Sequence, residues 1–269
     1  MPSTGPDFVE VGGNTSCVAI APDGEAPRLV IDAGTGLRRL TEVLGGEPFR
    51  GTILLSHLHW DHVMGLPFFR SGDNPDAVVT MLLPEQGTEP RELLARAMAP
   101  PFFPITPDGL RGDWTLGTYD EGELIAEGFT VTVREIPHKG SRTLGLRISD
   151  GRHSVAYLSD HAPQELGDGD DGFGALHPAA MELAAGVDVL IHGAQFTAEE
   201  FPARRTFGHA VANYGVSLGE ASGAGRVVMF HHDPWRVDDA VHALRDELAA
   251  GTSMPVQAAV EGTFIDLVD

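Results

Sequence analysis

Four side chains that can bind metal fall within six consecutive positions: His57, His59, Asp61 and His62, inside the stretch Gly51–Phe69. Imidazole and carboxylate together suit zinc or another borderline divalent cation. In an extended segment residues i and i+2 project to the same side, so His57 and His59 can hold one cation. If the chain turns into a helix at Trp60–Asp61, Asp61 and His62 swing toward a second cation beside it. One histidine in a loop after a strand would be ordinary. Three histidines and an aspartate packed this densely would be costly to bury without a ligand.

Such a cluster needs elements to hold it. Thr52–Leu55 is a short apolar run that reads as a buried strand and stops at Ser56. Val18–Ile20 and Leu29–Ile31 bracket the turn Pro22-Asp23-Gly24 and read as a hairpin, preceded by a loop-like Met1–Glu10. The hairpin ends at Asp32, followed by Ala33-Gly34-Thr35-Gly36 and a short helix, Leu37–Leu44. Asp32 reads either as part of a phosphate-cradling loop or as an acceptor that orients the ligand loop from behind. Pro84–Gly112 breaks the alternation with a helix, Arg91–Met98, and then Pro100–Ile105. Phe102 and Phe103 there form either a pocket wall or part of the core.

Phe129–Ile136 alternates as a strand and ends at Pro137-His138-Lys139-Gly140. Leu144–Ile148 and Ser154–Leu158 form a hairpin turning at Asp150-Gly151 and ending in Ser159-Asp160. Asp168–Gly174 reads as a solvated loop. A short helix, Met181–Ala185, precedes the strand Val187–Ile191, which ends at His192, and Arg226–Phe230 is a strand closed by His231-His232-Asp233. Asp238 is placed to cap an amphipathic helix, Asp239–Ala250, in which His242 is a surface or packing residue. Pro255–Val268 closes the chain as a hairpin or strand. Four apolar strands thus end in His57, Asp160, His192 and His231, and layered α/β folds gather function at the carboxyl ends of strands. This organisation predicts one domain, 1–269, of two βα halves, roughly 1–150 and 151–269, joined near Asp150.

Composition narrows the partners. The chain has 269 residues with 18 basic and 39 acidic side chains, a net charge of −21. Broad electrostatic binding to a polyanion relies on Lys and Arg and is disfavoured here, although a small phosphodiester held by metals is compatible. Cys17 is the single cysteine, in a strand-like run, so an intrachain disulfide is ruled out and a small core residue is expected. Neither a signal peptide nor a bilayer-spanning run is visible, which predicts a cytoplasmic protein without a membrane partner.

The pattern His57-Leu58-His59-Trp60-Asp61-His62 resembles the H-x-H-x-D-H signature of the metallo-β-lactamase superfamily. That resemblance implies an α/β fold, a four-layer αββα metallo-β-lactamase-like sandwich with a one- or two-metal site at one edge. The pairing of Gly12-Gly13-Asn14-Thr15-Ser16-Cys17 with Ile31-Asp32-Ala33-Gly34-Thr35-Gly36 is similar to the branch containing ribonuclease Z and the phosphoribosyl cyclic phosphodiesterases. Members of that branch begin with a further strand and a Gly-Ser loop, so a truncated or misassigned start and a first sheet one strand short are expected.

The resemblance also implies a ligand set. His57, His59 and His138 would serve a first metal, and Asp61, His62 and His231 a second, with Asp160 shared. Relatives place a His followed two residues later by Ser or Asp after this strand, which matches His231 with Asp233; His232 is the competing assignment, since strand neighbours face opposite ways. His192-Gly193-Ala194-Gln195-Phe196 resembles the branch's His-Glu-Ala-Thr-Phe, with Gly193 and Gln195 as departures. Gly208-His209-Ala210 resembles its Gly-His-Ser. His209 would start a helix running to about Ala221, where an anionic substrate is favoured, or else face solvent near a cap.

Two cations about 3.5–4 Å apart activate a bridging water and clamp attacking and leaving oxygens. Asp61 would accept the proton of that hydroxide, His209 would stabilise developing charge or protonate the leaving oxygen, and His192 would orient the region. The expected protein is a dinuclear metal-dependent hydrolase, with two zinc, manganese or iron ions, acting on a small and possibly cyclic phosphodiester. Hydrolysis of a carboxylic ester, lactone or thioester is the alternative. A metal-dependent binding protein and a tRNA endonuclease rank behind. Ribonuclease Z enzymes carry a long basic arm between the positions of His138 and Asp160, where this chain has room for one hairpin. Nucleic acid is therefore disfavoured as a partner against a small molecule. Homodimers are common for the fold, and a homodimer is an open expectation here.

Overall fold

The computed structural model describes residues 2–267. The chain divides into two compact units, Asn14–Asp120 with Pro2, and Ser3–Gly13 with the residues from Glu121 onward.

The first unit is built on a five-stranded sheet in the order β1 (Val18–Ile20), β2 (Leu29–Ile31), β3 (Arg50–Leu54), β4 (Val78–Pro84) and β5 (Asp113–Tyr119). The β1–β2 pair is antiparallel, as the hairpin predicts, and the other pairs are parallel. Parallel strands covered on both faces read as continuous apolar runs rather than alternations. Accordingly Leu29, Val30 and Ile31 are all buried. Helices α1 (Leu37–Val43) and α3 (Pro90–Ala97) belong to this unit, and its core gathers Leu37, Phe49, Ile53, Leu55, Phe69 and Met81. The proline-rich connection splits its two aromatics: Phe103 packs on this core, whereas Phe102 is 89% exposed. The ladder runs through β4 and β5, for which the sequence reading had no strands.

The second unit holds a seven-stranded sheet in the order β12 (Val256–Ala258), β11 (Val227–Phe230), β10 (Val189–Gly193), β9 (Ser154–Leu158), β8 (Thr143–Ser149), β7 (Phe129–Ile136) and β6 (Gly122–Ala126). Its β6–β9 half is antiparallel and its β9–β12 half parallel. The interior strand β10 is buried throughout, flanked by β9 and β11. Helices α4 (Pro178–Ala184) and α6 (Ala212–Ser222) share a core with the sheet through Leu183, Leu190, Tyr214 and Leu218, and α7 (Asp238–Ala250) packs against β12.

Two expectations are corrected. The helix after Gly208 begins at Ala212, not at His209. A bridge between Phe196 and Val211, with the Ala212 N–H donating to the Phe196 carbonyl at 2.9 Å, holds the preceding residues out of the helix. Asp238 is the first residue of α7 rather than its cap, and its carboxylate accepts the backbone N–H groups of Glu10 and Val11 at 2.8 and 3.1 Å. The loop-like start contains a 3-10 turn at Pro6–Phe8, and beyond β12 the residues to 267 add no strand. Val268, the end of the expected closing element, lies outside the described residues.

Candidate metal centre

In the first unit β3 delivers its chain to Ser56 and then to the motif. His59 is extended and precedes the one-turn helix α2 (Trp60–Val63). Extended-then-helical is the geometry the spacing required. His57 and His59 offer ligand atoms within 4.8 Å of each other, as do Asp61 and His62. The His57 and His62 rings lie 4.0 Å apart between centroids.

Asp32 organises this cluster from beneath. It is fully buried, with φ at +63°, a left-handed conformation that Asp and Asn tolerate better than most residues. Its Oδ1 accepts the Ser56 N–H at 2.7 Å and its Oδ2 the Ser56 hydroxyl at 2.9 Å. The same Oδ2 lies 2.7 Å from His62 Nδ1, which as donor satisfies the carboxylate. With its own proton committed to Asp32, the Ser56 oxygen accepts from His57 Nδ1 at 3.0 Å. Both imidazoles are thereby fixed in the tautomer whose Nε2 carries a lone pair, the form a metal needs. The reading of Asp32 as an orienting acceptor describes these contacts. Gly34 makes the close approach possible: a Cβ there would lie 2.2 Å from the Asp61 carbonyl oxygen.

In the second unit Asp160, His209 and His231 offer ligand atoms that all lie within 4.8 Å of one another. Asp160 is 1% exposed at the end of β9. His138, at the end of β7, sets its Nε2 3.4 Å from Asp160 Oδ2. His138 Nδ1 donates to the Gly208 carbonyl at 2.5 Å, so a lone pair on Nε2 opposes a carboxylate oxygen. A cation placed there satisfies both. His231 Nε2 stands 3.4 Å from Asp160 Oδ1, and His209 Nδ1 3.6 Å from Oδ2. The His209 and His231 rings stack at 5.1 Å.

His231 and His232 separate cleanly. His231 has φ at +50°, which turns it to Asp160 at the end of β11. His232 buries both ring nitrogens without a hydrogen-bond partner among the described residues. Burial first, then the Arg236, His231 and His242 charges, push it down to about 4.

His192 lies on β10, packed against Tyr214 of α6. Its Nδ1 donates to the Gly193 carbonyl at 2.9 Å and its Nε2 lies 3.2 Å from His161 Nδ1. Burial lowers His192 to about 4, and burial followed by neighbouring imidazoles lowers His161 well below the ordinary value. Both rings are therefore neutral, and His161 is the donor of the pair. The sequence reading passed over His161; its signal was a second titratable group beside Asp160 at a strand end. Ser56 was passed over as well, although a hydroxyl between Asp32 and His57 is what links them.

The family model described as "Beta-lactamase superfamily domain" matches residues 27–232. The chain belongs to the beta-lactamase superfamily, and is a hydrolase of its metallo-β-lactamase branch. It is 26% identical over 244 residues to a ribonuclease Z of Exiguobacterium sp., covering 75% of this chain and 78% of that one. Among solved structures it is similar to the metallo-β-lactamase fold protein YhfI from Bacillus subtilis, with a TM-score of 0.71 at 19% identity over 98% of this chain and 96% of that one. It is also similar to a diphosphatase from the PhnP family, with a TM-score of 0.67 at 17% identity over 96% and 86% of the two chains. These likenesses show an α/β fold of the metallo-β-lactamase type. Among the described residues no helix is long and apolar enough to cross a membrane.

Proposed function

We propose that this chain is a metal-dependent phosphodiesterase for a small phosphodiester. The observation that supports it most is the grouping of Asp160, His209 and His231 with His138 opposite the same carboxylate. That donor set, one carboxylate with imidazoles around it, fits zinc, manganese or iron. Following the motif order of the superfamily, His57, His59 and His138 would hold one cation and Asp61, His62 and His231 another, with Asp160 shared. Divalent cations so held supply Lewis acidity and an activated water.

The residues around them have separable tasks. Asp61 takes up the proton that water releases. His209, which stands beside Asp160, would stabilise developing charge or protonate the leaving oxygen. His192 orients its neighbour His161, the residue that follows Asp160 in the chain. A small substrate is favoured on two grounds. The interval between His138 and Asp160 contains only the β8–β9 hairpin, and the net charge is −21. A cytoplasmic enzyme that acts on a small molecule rather than nucleic acid, with a homodimer as an open expectation, is the corresponding picture.

The test is turnover of bis(p-nitrophenyl) phosphate beside a lactone. Chelation is expected to abolish diester hydrolysis, and zinc or manganese to restore it. Hydrolysis that survives complete metal removal, or turnover of the lactone alone, would refute the reading.

A further inference from the structure

Ser3–Gly13 comes early in the chain yet packs in the second unit. Apolar burial does not account for its place. Of its aliphatic side chains Val11 is buried, but Val9 is 74% exposed. Polar contacts fix it instead. The Ser3 N–H donates to the Gly13 carbonyl at 2.7 Å, which closes the segment into a loop. Glycine is needed at that closure, since a Cβ on Gly13 would lie 2.0 Å from the Ser3 carbonyl oxygen. The Val11 carbonyl accepts the Glu261 N–H at 2.8 Å. The Ser3 hydroxyl donates to the Pro234 carbonyl at 2.7 Å, and the Asp238 carboxylate accepts the Glu10 and Val11 N–H groups.

Pro234 and Asp238 lie on the stretch that runs from His231 to the start of α7. A carboxylate in the first turn of a helix needs no partner beyond the helix dipole and water. Asp239, in the same turn, is exposed in that way. Asp238 is 7% exposed and commits both oxygens to the strap, Oδ2 to Glu10 and Oδ1 to Val11. Backbone amides on a charged carboxylate make a tight anchor. His231 has need of one. Its φ of +50° is a strained backbone conformation for a histidine, and such strain persists where the surroundings hold it. Arg204 grips Asp233, and the strap grips Pro234 and Asp238.

We propose that Ser3–Gly13 is a positioning strap for His231. Ser3 and Asp238 hold the 231–238 stretch in the conformation that turns His231 Nε2 toward Asp160, and thereby set the affinity for the metal that His231 would hold. The proposal rests on the reading of His231 as a ligand, and its test tells the two apart.

Zinc affinity of the full chain, read by competition with a fluorescent chelator, supplies the test. Asp238→Asn keeps the shape of the side chain and removes its charge and one acceptor. It is expected to weaken zinc binding about tenfold, the lower end of the scale for groups that act through a ligand. Ser3→Ala is expected to weaken it about fivefold, the scale of one neutral hydrogen bond. Asp239→Asn removes the same charge from the same helix turn and should leave the affinity unchanged. A strap that only stabilised the fold would cost the same affinity whatever stands at position 231. A strap that positions His231 has nothing to position in His231→Gln, so adding Asp238→Asn to that variant should cost no further affinity. An equal loss in both backgrounds, no loss in either strap variant, or the same loss in Asp239→Asn would each overturn the proposal while leaving His231 a ligand. Wild-type zinc affinity in His231→Gln would retire the ligand reading, and the strap with it.

Discussion

Asp32 shows how much a single buried carboxylate can arrange. It takes three donors, two from Ser56 and one from His62, and through the Ser56 hydroxyl it also sets His57. Removing its charge weakens the hold on two imidazoles without touching either Nε2, the nitrogen proposed to bind metal. Asp32→Asn is the informative change, because Asn accepts the left-handed backbone at φ +63° and retains one acceptor oxygen. Alanine would mix backbone strain into the result. The expected outcome is a loss of zinc affinity of 10- to 100-fold, the usual scale for partners behind a ligand histidine. Competition with a chromogenic chelator measures it, and unchanged affinity would show that the His57 and His62 tautomers do not depend on Asp32.

Elements that end in the candidate ligands were readable because their sequences leave few choices. A buried strand followed by a dense cluster of His and Asp gives both the strand end and the chemistry, as at Ser56–His62. The β8–β9 hairpin was readable from its Asp150-Gly151 turn. β5 and β6 escaped for the opposite reason. Their burial is patchy, and exposed and half-buried residues mix along both. The start of α6 was misplaced because a Gly-His pair can open a helix locally, and only the distant contact of Val211 with Phe196 delays it.

Distant contacts also hold the loop that carries His231. Arg204, the last residue of the short helix α5 (Phe201–Arg204), donates to Asp233 Oδ2 at 2.6 Å, and Asp233 Oδ1 accepts the Trp235 N–H at 2.9 Å. Arg236 donates to Glu200 Oε2 at 2.6 Å, so two ion pairs join the segments before His209 and after His231. Asp233 is buried but the Arg204 side chain is 37% exposed, so solvent screening limits the coupling to about 1 kcal/mol. A double-mutant cycle with Arg204→Gln and Asp233→Asn, read by chemical denaturation, should return that coupling. Strict additivity would mean the two segments are held independently.

At the scale of the whole molecule, pH tests what burial of neutral imidazole does to the fold. His192 sits at about 4 in the folded chain, against an ordinary value of 6.5, because burial disfavours its charged form. The folded value is the depressed one. Between the two values the unfolded chain binds a proton that the folded chain refuses, so stability falls as pH falls. The contribution is fully present above pH 6.5 and is lost on descending toward 4. At pH 5 the lost stability from this one group is about 2 kcal/mol. His232, also lowered to about 4, acts in the same direction. With the protein kept free of metal, so that ligand protonation is not confused with folding, denaturation midpoints at pH 7.5 and 5 give the slope. His192→Gln removes the titrating ring, and its loss of stability between those two pH values should be smaller than that of the wild type by about 2 kcal/mol. An equal loss in both proteins would show that His192 is protonated in the folded state, and with it that the neutral imidazole pair behind Asp160 is not how this region is built.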